Sequence, residues 1–365
     1  GSRRQGRSGG EKILSMETTI TPEYLARLAS LPDYLNSQLF GQAAAVAEFS
    51  GTFRRAALSI AVEPGRPRSF MLLLGPTGTG KTEITILTSQ HIWGTKAIAR
   101  LNMAEFSDEN GVLRVIGKGR EYPDDEGQLG AELANLEKTG GRIVLLDEIE
   151  KAHPRVAKLF LGMEAAEVTF GNGRKADLSK YFFVITSNLG TAKATQMALD
   201  GLSRNECTEQ LIAECARFFN KEVVGRFTKI IMFDALHRDV LARVAGKFID
   251  RVVAMIRAHP CFPDASIEIT PEARLAILAA GKDVSMGARP MRHSAENRIG
   301  EALADYLIAQ GGACAPGAEI VVCLASSLGR EDGDGCDGET AASRGFAVVS
   351  KAEWADLQRR PLAAA

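Results

Sequence analysis

The chain has 365 residues, enough for one large domain and a smaller one. Apolar residues make up 45% and charged residues 24%, the balance of an ordinary globule and not of a disordered or fibrous chain. A net charge of −1 argues against a general binder of nucleic acid or of membrane surfaces, and no apolar run approaches the ~20 residues of a membrane helix, so the sequence predicts a cytoplasmic protein without a signal peptide.

The six cysteines are scattered without a Cys-x-x-Cys pair and the five histidines are isolated. That predicts free thiols, with neither zinc nor a histidine-centred catalytic site. Residues 1–10 read as a cloning remnant with a disordered lead-in. From Glu11 to Gln42 the pattern is helical with two starts, Thr21-Pro22-Glu23 and Leu31-Pro32-Asp33. Ala43 to Ala61 reads as one long amphipathic helix with Val46, Phe49, Phe53, Ala57 and Ile60 on its apolar face.

Phe70 to Leu74 is a short, wholly apolar run, which predicts a strand buried on both faces. Gly75, Pro76, Thr77, Gly78, Thr79, Gly80, Lys81 and Thr82 then read Gly-x-x-x-x-Gly-Lys-Thr, a P-loop. A triphosphate needs inward-pointing backbone N–H groups in a loop poor in side chains, hence the glycines. Lys81 is placed to reach the β- and γ-phosphates, and the Thr82 hydroxyl to hold Mg²⁺ beside the nucleotide, so the expected cofactors are ATP and Mg²⁺. The helix expected from Glu83 turns its positive end to the anion.

Four more strands are expected at Ala97 to Asn102, Arg142 to Asp147, Tyr181 to Ser187 and Lys229 to Phe233. Alternation with helices predicts an α/β fold with a parallel five-stranded sheet covered on both faces. The third of these five strands ends in Asp147 and Glu148, at the edge where such sheets bind ligands. Asp147 fits the magnesium shell and Glu148 the polarisation of an attacking water, although either acid alone could cap the next helix. The fourth strand closes on Thr186-Ser187-Asn188, where Asn188 is either a donor to the γ-phosphate or a turn former.

Beyond Phe233 the pattern turns helical. Helices fit Val240 to Ala258, Pro271 to Ala280 with Thr270 as N-cap, and Ala288 to Gln310. Ala318 to Leu324 and Phe346 to Val349 read as a β-hairpin around an acidic loop, residues 326–344, whose spacing does not fit a calcium loop. Lys351 to Leu357 is a short helix at most. The predicted division is a large nucleotide-binding domain over 11–235, a small, mainly helical lid over 236–350 and a tail over 351–365.

The segments GPTGTGKTE, LNMAEF, IVLLDEIEKAHP, GNGRKADLSKYFFVITSNLG and MGARPMR together resemble the AAA+ module of Clp-type ATPases, in particular the second ring of ClpB and ClpV. The similarity runs from Glu11 to Val349. It implies that Gly41 and Gln42 close around adenine, that Asn188 is the sensor-one residue, and that Arg289 is the sensor-two arginine of the lid. It also implies that Arg226 is the arginine finger that completes a neighbour's site, although the family's Asn-Arg-Ile is here Gly225-Arg226-Phe227. A finger acting in trans implies a homo-oligomeric ring, usually of six, and an ATPase that depends on assembly.

Tyr122 matches the family's pore-loop aromatic, which grips a threaded polypeptide. Its surroundings depart from the pattern: Glu121 and Asp124 replace glycines, Pro123 intervenes, and the loop is about two residues shorter. Four acids, Glu121, Asp124, Asp125 and Glu126, favour basic or polar substrate segments. No Ile-Gly-Phe or Ile-Gly-Leu follows Asn188, so a ClpP-type peptidase is not the expected partner. The expectation is a remodeller of a dedicated protein substrate, possessed of an adaptor or not, with a nucleotide-gated scaffold as the alternative. A nucleic-acid motor is disfavoured by the acidic loop. Glu11 to Met16 resembles the lead-in to a second ring, which implies a piece of a longer protein.

Overall fold

The computed structural model describes residues 20–60, 62–219, 221–279, 288–328 and 345–359. The lead-in over 1–10, Ala61, Ala280, Gly287, most of the acidic loop (329–344) and the end of the tail (360–365) lie outside the described residues.

The first part of the chain runs α1 (Pro22–Gln38), α2 (Ala43–Ala57), β1 (Ser69–Leu74), α3 (Lys81–Trp93), β2 (Ala99–Asn102), α4 (Gly111–Ile116), α5 (Gly127–Thr139), β3 (Ile143–Asp147), α6 (Pro154–Gly162), β4 (Glu167–Thr169), β5 (Lys175–Asp177), β6 (Phe182–Ser187), α7 (Thr191–Leu199), α8 (Arg204–Phe219), α9 (Lys221–Val224) and β7 (Lys229–Met232). Five strands form one parallel sheet in the order β2-β3-β6-β1-β7. Alternate residues of each strand feed opposite faces. Leu72, Leu74, Val144, Leu146, Phe183 and Ile185 enter the core beneath α5, α6 and α8. Met71, Leu73, Ile143, Leu145, Phe182 and Val184 enter the core beneath α1, α2 and α3. All six residues of β1 are buried, which is why Phe70 to Leu74 reads as a continuous apolar run and not as an alternation.

Two helix expectations are corrected. Pro32 starts no second helix: α1 continues through it, because Tyr24, Leu28, Leu31 and Leu35 make one buried stripe across the proline. A proline here removes its own N–H bond, and burial of the four side chains outweighs that loss. The helix does begin as expected, with Thr21 Oγ1 accepting from the N–H of Tyr24 at 3.2 Å. The second correction concerns α2, which stops at Ala57. Ser59 takes a positive φ of 56°, which breaks the helix, and Ile60 is 55% exposed instead of lying on the apolar face.

The remainder comprises α10 (Arg238–Arg257), β8 (Ser266–Ile269), α11 (Pro271–Ala279), α12 (Arg289–Ala309), β9 (Glu319–Leu324), β10 (Phe346–Ser350) and α13 (Lys351–Arg359). Thr270 caps α11 as expected, its Oγ1 accepting from the N–H of Ala273. The expected hairpin is there, β9 against β10 antiparallel, and β8 joins it in parallel to make three strands. Four-residue β8 alternates exposed and buried, too short a signal to stand out beside its neighbouring loop. A core of its own, including Ile249, Val252, Ile267, Ile277, Ile299 and Val322, holds this part together.

Candidate active site

Strand order decides where chemistry collects. Because β6 lies between β1 and β3, the loop after β1 and the tips of β3 and β6 open side by side. The loop after β1 folds as its glycines require: Gly75, Gly78 and Gly80 have φ of 151°, 74° and 105°. A Cβ on Gly75 would sit 2.5 Å from Phe233 O, so no larger residue fits there. Thr79 Oγ1 closes the turn onto Pro76 O at 2.8 Å.

Lys81, the first residue of α3, is buried, and its Nζ donates to Gly75 O (2.5 Å), Pro76 O (2.8 Å) and Asn188 Oδ1 (2.9 Å). Burial pulls its pKa down to about 8, against the opposing pull of Glu150, Asp147 and Glu148. Thr82 Oγ1 lies 3.3 and 3.4 Å from the two oxygens of Asp147. A hydroxyl and a carboxylate are the hard oxygen donors that suit Mg²⁺. Among the described residues no group of three or more His, Cys, Asp or Glu could hold a metal alone, so phosphate oxygens and waters would complete the shell.

Glu148 sits just past β3 in a left-handed conformation, φ 59° and ψ 55°. One hydroxyl fixes both acids: Thr186 Oγ1 donates to Asp147 Oδ1 at 2.6 Å and accepts from the N–H of Glu148 at 3.0 Å. The Glu148 carboxylate pairs with Lys151 Nζ at 2.7 Å, and Asp147 Oδ2 with Arg100 Nη2 at 2.5 Å. Glu150 Oε1 accepts from the N–H of Asn188 at 3.1 Å, which pins the tip of β6.

The lid closes the cleft from the other side. The N–H of Ala288 donates to Gly78 O at 3.2 Å, and Arg289, the next residue, opens α12 and lines the cleft. The cleft holds about 510 Å³. Leu39, Phe40, Leu236, Val244 and Phe248 line an apolar part of it, which suits a base. Gly41 and Gln42 are not among the lining residues. The buried Gln42 amide donates to Asp234 O at 2.9 Å and accepts from its N–H at 3.0 Å, a clasp on the segment between the two parts of the chain. The cleft wall at this end is made by their neighbours Gln38, Leu39 and Phe40.

Arg226 lies between α9 and β7, half-buried, with its N–H bonded to Val223 O, and does not line this chain's own cleft. Tyr122 is 53% exposed in the loop between α4 and α5, with Lys118 Nζ 5.7 Å from its ring centroid. Contacts beyond the proline brace the loop. Asp125 accepts from the N–H groups of Lys118 and Gly127, and Asn172 Nδ2 donates to Pro123 O at 2.7 Å. Glu126 pairs with Arg174 at 2.8 Å. Two of the four acids are therefore spent on the loop's own frame, and Glu121 and Asp124 are left exposed beside Lys118 and Arg120. The acidic character expected for the loop is correspondingly weaker.

Sequence reasoning missed Arg100, Lys151, Thr186, Lys247, Arg251 and Arg292, all of which line the cleft. Lys151 had a signal, its three-residue spacing from Glu148. Arg100 had one too, a charge inside a four-residue strand next to β3. The α10 and α12 cations had none, since a lid helix carries many.

Comparison with known proteins finds related domains over most of the chain. Residues 66–230 match the model of the AAA domain (Cdc48 subfamily), and residues 236–322 that of the C-terminal, D2-small domain of ClpB protein. The ATP-dependent Clp protease ATP-binding subunit ClpE of Lactococcus lactis is 30% identical over 284 residues, 77% of this chain and 37% of that protein. The chaperone protein ClpB of Aquifex aeolicus is 31% identical over 78% of this chain and 29% of its own length. The negative regulator of genetic competence ClpC/MecB of Bacillus subtilis is 29% identical, over 77% and 35%. The chain thus spans less than half the length of these relatives. It carries an AAA+ module of the Clp type, similar to the second ring of ClpB.

Proposed function

We propose that this module hydrolyses ATP within a homo-oligomeric ring and remodels a dedicated protein substrate. The observation that carries the reading is the convergence of Lys81, Thr82, Asp147, Glu148 and Asn188 at three adjacent strand tips, with Arg289 facing them from the lid. Bound Mg²⁺ would supply charge neutralisation on the phosphates. Gly75 to Gly80 would cradle the phosphates, Lys81 and Arg289 would bind them, and Thr82 and Asp147 would hold the metal. Glu148 takes the proton of the attacking water, and Asn188 orients that water.

Arg226 acts on a neighbour's site, which is supported by its place outside its own cleft. Tyr122, on an exposed and braced loop, grips the substrate. The division at 235 and 236 is supported by the gap between the two matched models. Independence from a ClpP-type peptidase rests on the absence of an Ile-Gly-Phe or Ile-Gly-Leu tripeptide after Asn188. The second reading is a nucleotide-gated scaffold, favoured by one observation: the pore-loop glycines have become Glu121 and Asp124.

The test is the ATPase rate per subunit against protein concentration, for this chain and for Glu148→Gln, with mass measured with and without ATP. A rate that climbs with assembly and vanishes in the variant is the expected result. Nucleotide-dependent assembly with negligible turnover would select the scaffold.

A further inference from the structure

The carboxylate of Asp147 has three donors around it. Thr186 Oγ1 takes Oδ1 at 2.6 Å, and Thr82 Oγ1 lies within 3.4 Å of both oxygens. The third is Arg100, whose Nη2 and Nε both donate to Oδ2, at 2.5 and 3.1 Å. The two threonines come from elements that the site needs anyway. Arg100 comes from β2, where Ala99 and Leu101 on either side of it are buried and its own side chain is 51% exposed into the cleft.

A water of a magnesium shell needs a lone pair of the same carboxylate. A guanidinium that donates twice to one oxygen makes a charge-assisted contact, and the Asp147 side chain is only 10% exposed, so solvent screens the pair poorly. The two cations therefore contend for one acid. We propose that Arg100 is an internal competitor of the divalent cation, and that it sets the Mg²⁺ concentration at which the module takes up nucleotide. Loading requires the guanidinium to give up Oδ2. Since it is anchored on the cleft wall and half exposed, it can do so without moving β2. The inference rests on the reading of the cleft as a nucleotide site.

The experiment is binding of a fluorescent ADP analogue at fixed nucleotide and rising Mg²⁺, for the native chain, Arg100→Met and Arg100→Lys, with circular dichroism to verify folding. Loss of a charged hydrogen bond to the competing state should lower the Mg²⁺ midpoint about tenfold in Arg100→Met, about 1.4 kcal/mol. Arg100→Lys, which keeps a charge but not the fork, should fall between. Mn²⁺ binding in the presence of ADP, read by electron paramagnetic resonance, should tighten in the same order. A midpoint that is unchanged or raised in both variants overturns the proposal while ADP binding itself stands. No ADP binding by the native chain at any Mg²⁺ overturns the nucleotide reading, and the competitor with it.

Discussion

Lys81 Nζ lies 2.9 Å from Asn188 Oδ1, which ties the first turn of α3 to the tip of β6. An ammonium only donates, so the amide atom facing it is the oxygen, and the NH₂ of Asn188 is turned away from Lys81. That leaves two donors for the γ-phosphate or the attacking water. Asn188→Ala should therefore leave ADP affinity within about threefold and lower kcat by about 10²-fold, the cost of one lost transition-state donor. Steady-state kinetics beside an ADP titration checks this, and an equal loss in both would assign Asn188 to ground-state binding.

The buried Lys81 also predicts a pH dependence. Its pKa of about 8 means that the nucleotide-free protein loses this ammonium as pH rises through 8, while phosphate needs it charged. Binding must then take up a proton, and ADP affinity at saturating Mg²⁺ should be about tenfold weaker at pH 9 than at pH 7. For stability the sign reverses. Below about 8 folded and unfolded chains both hold the proton and the burial cost is fully present; from 8 towards 10.5 only the unfolded chain holds it, and the free protein gains stability. Lys81→Met should flatten both profiles, read by ADP titration and thermal melting across pH 6.5 to 9.5.

The parts of this molecule legible in its sequence are those with a local physical signature. Apolar runs such as Phe70 to Leu74 gave five strands, because a doubly buried strand is filled mostly by apolar side chains, with polar residues such as Ser69, Thr186 and Ser187 confined to its ends. Pro32 misled, since its local cost was outweighed by a stripe of four side chains that only the tertiary packing reveals. Gln42 shows another limit: nothing in the sequence signals that its amide bonds the backbone of Asp234, 192 residues away. Arg100 pairs with an acid on the neighbouring strand, and such a pair leaves no periodicity; Lys151 pairs locally with Glu148, and its three-residue spacing was the one trace of it in the sequence.

If Arg226 works in trans, its loss and that of Glu148 must complement each other. Arg226→Ala should bind ADP and turn over ATP about 10³-fold more slowly. In randomly mixed rings of Arg226→Ala and Glu148→Gln, about one interface in four pairs an intact Glu148 with an intact Arg226 of the neighbour. The mixture should recover about a quarter of the native rate, although each variant alone is inactive. A mixture as dead as its parts would place the arginine in cis or make it structural.

The last prediction concerns the brace behind Tyr122. The turn between β4 and β5 packs backbone on backbone against the loop that carries Tyr122: Gly171 N–H donates to Ile116 O at 2.7 Å, and a Cβ on Gly171 would meet Gly117 O at 2.4 Å and Gly119 N at 2.7 Å. Neither neighbour is the end of a flexible side chain, so the added methyl must push the two loops apart. Gly171→Ala should speed amide exchange over residues 117–127 by about tenfold or more, with ADP affinity kept, because the strand tips that hold nucleotide lie elsewhere. Tyr122→Ala supplies the contrast: it removes the exposed ring and should leave exchange in the brace unchanged, while both variants fail to unfold a fluorescent protein bearing an unstructured tag. Native exchange in Gly171→Ala would mean that Asp125 and the glycine turns hold the loop unaided. Full unfolding activity in Tyr122→Ala would remove the tyrosine from the grip and leave the scaffold reading to explain the ring.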